Sequence, residues 1–235
     1  MTLSSCLLAI CLAPSPPNSK VLAIDVMLGD RQIARSLIMT CFIPGSQEKT
    51  RFFFSRTTAE GSYTEVRTWL KSDGTPVRSI ETAVSKVLKT TADAEFANGS
   101  ISVTFRQERT GNRLVGFPIV KKISVPAGSS IRGGLFDPAF LVAKPSPEPI
   151  NFYVLNPWRN ALEKYELLGG EVVEGSDGEH VRYRVKGPVK ESEMTVDGEG
   201  FLRSKESDGT RLERSAPRQY ELIEMKQLAA TIRMR

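Results

Sequence analysis

From Lys20 onward the apolar residues of this chain recur at every second position, and glycine-containing turns cut the runs. Leu22, Ile24, Val26 and Leu28 share one face, Gly29-Asp30 follows, and residues 37–43 form a second apolar run. A period of two is the signature of a strand with one face buried, whereas a helix would need 3.6. Asp-Gly recurs at residues 73, 177, 197 and 208, and Asn-Gly at 98, each time between strand-like segments. These dipeptides accept the positive backbone angles of tight hairpins. Together the signals predict a mainly β chain: a curved antiparallel β-meander, a half-open barrel, with one or two short helices.

Residues 51–56, 63–70, 77–84, 101–105 and 121–125 read as strands of the first half. In the second half they are 151–155, 163–168, 171–174, 181–186, 191–196 and 201–206. Residues 83–97 alternate poorly and fit neither period. Residues 220–235 suit a helix with Leu222, Met225, Ala229 and Ile232 inward, or else a final strand. Between the halves, 126–149 is rich in proline and glycine and reads as a crossover. Asp137-Pro138 places an N-cap acid before a proline there, which predicts a short helix over 137–143. The chain therefore divides into a signal-like or disordered N-terminus, 1–19, and a single β-rich domain, 20–235.

Residues 3–13 form an apolar run too short to span a membrane, followed by Pro14, Pro16 and Pro17. Its length and composition match the core of a secretory signal, so the expected location is the periplasm or cell envelope. A cytoplasmic location follows if the run is not a signal. Cys6 and Cys11 fall inside it, and Cys41 lies in a strand-like apolar run, so neither a disulfide framework nor a cysteine-histidine metal site is expected.

Charge excludes one function class. The chain carries 32 Lys and Arg against 27 Asp and Glu, a net charge of +5. The surplus lies within 51–150, where the cations are scattered rather than clustered. No zinc-finger spacing or aromatic RNA-binding motif accompanies them, so nucleic acid is not an expected partner.

Chemistry is equally sparse. His180, the one histidine, lies beside a turn where a solvated imidazole is expected. No Gly-x-Ser-x-Gly elbow, phosphate loop or calcium loop is present. Glu65, Asp73, Glu81, Asp137 and Glu163 are carboxylates of the right type for acid–base work, with nothing in the spacing to select a pair. Neither a cofactor nor a metal site is expected. Phe52, Phe54, Trp69, Phe105 and Phe140 are the aromatic residues chosen as the wall of an apolar groove, since a curling sheet encloses either a filled core or a cavity.

The signal-like run, the opening hairpin over 21–43, the Asp73-Gly74-Thr75-Pro76 link and the closing turn at 196–201 together resemble the exported β-meander proteins of the LolA/LolB lipoprotein-carrier superfamily. The resemblance spans residues 20 to about 215 and rests on element order and turn chemistry. It implies a half-open antiparallel sheet wrapped around a helix and non-catalytic binding of a hydrophobic, lipid-like ligand, with the protein peripheral to the membrane at most. An envelope interaction or scaffold module using a sheet edge or the 126–149 segment, with a protein partner, is the alternative expectation. An atypical hydrolase using His180 is the third.

Overall fold

The computed structural model describes residues 19–43, 50–97, 99–109, 113–114, 116, 118–133, 148–175, 178–198, 200–206 and 208–232. The signal-like run, the helix expected over 137–143 and Phe140 lie outside these residues. The first eight strands are β1 (Lys20–Leu28), β2 (Arg31–Phe42), β3 (Arg51–Ala59), β4 (Ser62–Leu70), β5 (Pro76–Val84), β6 (Leu88–Ala97), β7 (Ser100–Arg109) and β8 (Arg113–Leu114). After them come β9 (Ile119–Ser124), β10 (Ile131–Arg132), β11 (Ile150–Asn156), β12 (Ala161–Gly175) and β13 (Gly178–Lys186). The series closes with β14 (Glu191–Asp197), β15 (Gly200–Glu206), β16 (Thr210–Ser215) and a helix, α1 (Gln219–Thr231).

All the strands belong to one sheet, mostly antiparallel, that does not close into a barrel. Its order runs β10 through β16, then β1 through β8, with β9 beside β7. The first and last strands therefore meet in the middle, Ala23 opposite Ser215 and Val26 opposite Leu212. The crossover links the two outer ends, and among the described residues only the β10–β11 pair is parallel. Bulges at Val26/Met27, Trp69/Leu70, Leu168/Glu171 and Thr195/Val196 add local twist, and twist is what curls a wide sheet. The bulge at Leu168/Glu171 merges the two short strands expected over 163–174 into one.

The curl gives the sheet an inner and an outer face. Leu22, Ile24, Ile38, Phe53 and Leu70 from the first half meet Phe152, Val181, Tyr183, Val185, Met194 and Phe201 from the second in one buried cluster. Burying each such side chain is worth about 1.5–3 kcal/mol. Phe152 stacks on Tyr165 at 5.6 Å.

Helix α1 sits on the outer face, over β2 and β3, where Met225, Ala229 and Ile232 pack on Met39, Cys41, Phe52 and Phe54. This corrects the expectation of a sheet wrapped around a helix: the interior is filled by strand side chains from both halves. Met225, Ala229 and Ile232 face the sheet as expected, and the helix departs from its expected face at Leu222 in the first turn. Glu221 is buried and Leu222 is exposed, because Glu221 meets an arginine on the sheet.

Candidate functional site

Strands β4, β5 and β6 place small side chains on the inner face. In register, Val66 lies opposite Glu81 and Glu81 opposite Ala92, while Thr68 lies opposite Ser79 and Ser79 opposite Ala94. Alanine, serine and threonine cannot fill the space that Phe53 and Ile38 fill nearby. The result is a cavity of about 150 Å³, covered from the other end of the sheet by Val154, Leu155 and Pro157. The Thr68 and Ser79 hydroxyls are hydrogen-bonded at 2.9 Å. A void of this size is below the range of roughly 300–1,000 Å³ usual for ligand pockets.

A second, larger space of about 450 Å³ is lined by Thr90, Phe105, Gln107, Gly116, Ile119, Lys121 and Trp158. Trp158 follows β11 in the turn 157–160, and the Phe105 and Trp158 ring centroids are 6.2 Å apart. Lys121 places its ammonium 5.6 Å from the Phe105 centroid. Ile119 and Trp158 are 59% and 41% exposed, so this space opens to solvent. The Trp158 indole N–H donates to the Glu81 carboxylate. The inner cavity and the outer mouth therefore adjoin at the Glu81–Trp158 pair. Burial pushes the Glu81 carboxyl above the ordinary glutamate range, and the indole N–H, by favouring the carboxylate, offsets part of that rise.

Of the expected groove residues, Phe105 is on the inner face and at the mouth. Phe52, Phe54 and Trp69 are not: they lie on the outer face, with Phe52 and Phe54 fully buried beneath α1 and Trp69 packed against them. Phe52 and Trp69 meet edge to face at 5.2 Å. This corrects their placement on the concave face. The cause is local, because Phe52, Phe53 and Phe54 make β3 apolar on both faces and alternation then names no inside. Phe140 lies outside the described residues.

Trp158 was not anticipated. The signal for it was present: a tryptophan in a polar turn, Asn156-Pro157-Trp158-Arg159-Asn160, with no strand period to bury it. His180, expected to be solvated, is 5% exposed on β13 and lines neither space. Cys41 is buried under α1, and desolvation pushes its thiol up to about 11. Among the described residues no three metal-ligating side chains converge, and no helix is long and apolar enough to cross a membrane.

No family model, curated protein or solved structure matches this chain.

Proposed function

We propose that the protein is a non-catalytic binding protein of the cell envelope that takes a small hydrophobic, lipid-like ligand at the mouth between β7, β9 and the turn after β11. The observation that carries this reading is the apolar wall of Phe105, Trp158 and Ile119, half open to water and backed by a cavity. Wholly exposed apolar walls are costly, and a concave one with a few polar groups is the usual form of a small-molecule site. An open antiparallel meander is the architecture that the resemblance to the lipoprotein carriers implies, and the outer position of α1 departs from that expectation. A full acyl chain exceeds the inner cavity, so the ligand's tail occupies the mouth.

The test is uptake of the neutral fluorophore N-phenyl-1-naphthylamine by purified protein, with lipid mass spectrometry of the protein isolated in mild detergent. Saturable fluorescence that Phe105→Ala weakens about tenfold supports the reading. A chain that carries no lipid and takes up no fluorophore refutes it.

A scaffold role has one observation in its favour. Ile119 and Val120 on β9 are both more than half exposed, and apolar residues at a sheet margin are a template for a partner's strand. Crosslinking in cells would then yield one dominant protein partner.

A further inference from the structure

Among the described residues the inner cavity has one ionisable side chain in its wall, Glu81. Elsewhere several half-buried or buried carboxylates are held by a cation: Asp93 by Arg78, Glu65 by Arg56 and Arg67, Glu221 by Arg35, Glu206 by Lys190. Glu81 has no such cation among the described residues, and its hydrogen-bond partner is the neutral Trp158 indole, which engages Oε1. Among the described residues no donor reaches Oε2. A half-buried carboxylate without a cation is disfavoured by its loss of water, and packing alone would be better served by a leucine there.

The chemistry around it is complementary to one class of ligand. The carboxylate accepts, and the Thr68 and Ser79 hydroxyls share one hydrogen bond and keep lone pairs to accept another. The aromatic face of Trp158 favours a cation. A small cationic group fits about 150 Å³, and an alkyl chain does not. We infer that the ligand is a cationic amphiphile, a primary amine or alkylammonium compound whose head enters the cavity against Glu81 and whose chain lies along Phe105 and Trp158. This rests on the mouth being the binding site, as proposed above. Lys121 at the rim would instead attract an anionic head, so the anionic counterpart belongs in the experiment.

The experiment is displacement of bound N-phenyl-1-naphthylamine at neutral pH by dodecylamine, dodecanol and dodecanoate, each below its solubility limit or micellar concentration. The expected result is displacement by the amine at concentrations at least ten times lower than by either competitor. Glu81→Gln should bring all three within about twofold, each measured relative to that variant's own fluorophore affinity. Glu81→Met serves the same purpose should the amide variant lose its cooperative urea transition. Equal potency in the parent protein, preference for dodecanoate, or an amine preference that survives both substitutions overturns the inference and leaves the apolar site standing. Absence of fluorophore binding overturns both.

Discussion

The Arg35 guanidinium on β2 grips both carboxylate oxygens of Glu221 in the first turn of α1, Nε to Oε1 at 2.8 Å and Nη2 to Oε2 at 3.0 Å. The same arginine donates to Asp25 on β1, to the Ser215 hydroxyl on β16 at 2.9 Å and to the Ala216 carbonyl at 3.0 Å. Glu221 also accepts the backbone N–H of Arg218 at 2.6 Å, capping the helix. One side chain thus ties the helix to the place where the first and last strands meet. Bidentate geometry and burial make this pair far stronger than a surface ion pair.

Hydrogen bonds from Arg35, joined by the Arg218 amide and opposed by burial, hold the Glu221 carboxyl below the ordinary glutamate range. A depressed carboxyl adds stability in full above its unfolded value, about 4.3, and loses it as pH falls through the lower folded value. Glu221→Gln should therefore cost about 2–3 kcal/mol near neutrality and progressively less below pH ~4. Urea unfolding of both proteins from pH 3 to 7 measures the gap. A gap independent of pH would remove the ionised pair from the account.

The outer-face core predicts a separation of stability from binding. Phe54 is fully buried between β3 and α1, so Phe54→Ala should cost about 3–5 kcal/mol. Because it faces away from the mouth, fluorophore affinity per folded molecule should stay within twofold. Loss of affinity at unchanged folded fraction would place the site under the helix instead.

Which parts of this arrangement the residue pattern announced follows from how local each signal is. Gly29-Asp30 and Asp73-Gly74 mark turns at the right places because a hairpin turn is decided by its own residues. The pairing of β1 with β16 had no such local cue, since nothing in either strand names a partner nearly two hundred residues away. Residues 88–97 alternate Thr90, Ala92, Ala94 and Phe96 inward against Lys89, Thr91, Asp93 and Glu95 outward. Threonine and alanine give little hydropathy contrast, so this strand was the hardest to read. The smallness that blurred its pattern is also what leaves the cavity empty. The binding geometry was hidden for a further reason: Glu81 and Trp158 are 77 positions apart, and only the curl of the sheet joins them.

Two turn glycines should differ under the same substitution. Gly29 has φ +60° with open space where a Cβ would stand, whereas at Gly74, φ +85°, that Cβ would lie 2.9 Å from Arg132 Nη1 and 3.3 Å from Arg51 Nη2. Gly29→Ala should cost about 1 kcal/mol, the strain of the left-handed backbone alone. Gly74→Ala should cost up to about 2 kcal/mol, because Arg132 must also leave the Asp73 carbonyl it reaches at 3.2 Å. Equal urea midpoints for the two variants would contradict this.

The Cys41 thiol should be inert in the folded protein. It is buried beneath α1 and raised by desolvation to about 11, so at pH 8 only about one part in a thousand is the reactive thiolate. In a chain carrying Cys6→Ser and Cys11→Ser, reaction with a disulfide reagent should be at least a hundredfold slower than in 6 M guanidinium. Comparable rates would mean that the helix does not cover this strand in solution.

The cavity itself is open to a direct test, because real space accepts added carbon and filled space does not. Ala92 lies on the cavity wall opposite Glu81. Ala23 is equally buried, at 0% exposure, but adjoins neither the cavity nor the mouth. Ala92→Leu should leave the urea midpoint within the equivalent of about 1 kcal/mol, since the new methyl groups gain contacts where none existed. Ala23→Leu should lose about 1–3 kcal/mol to overpacking. With the inner space filled, the head of a bound amphiphile loses its seat, and dodecylamine should displace the fluorophore about tenfold less well from Ala92→Leu than from the parent. Equal losses of stability in both leucine variants would show that the inner faces of β4, β5 and β6 are already packed, and the head group would then need another place.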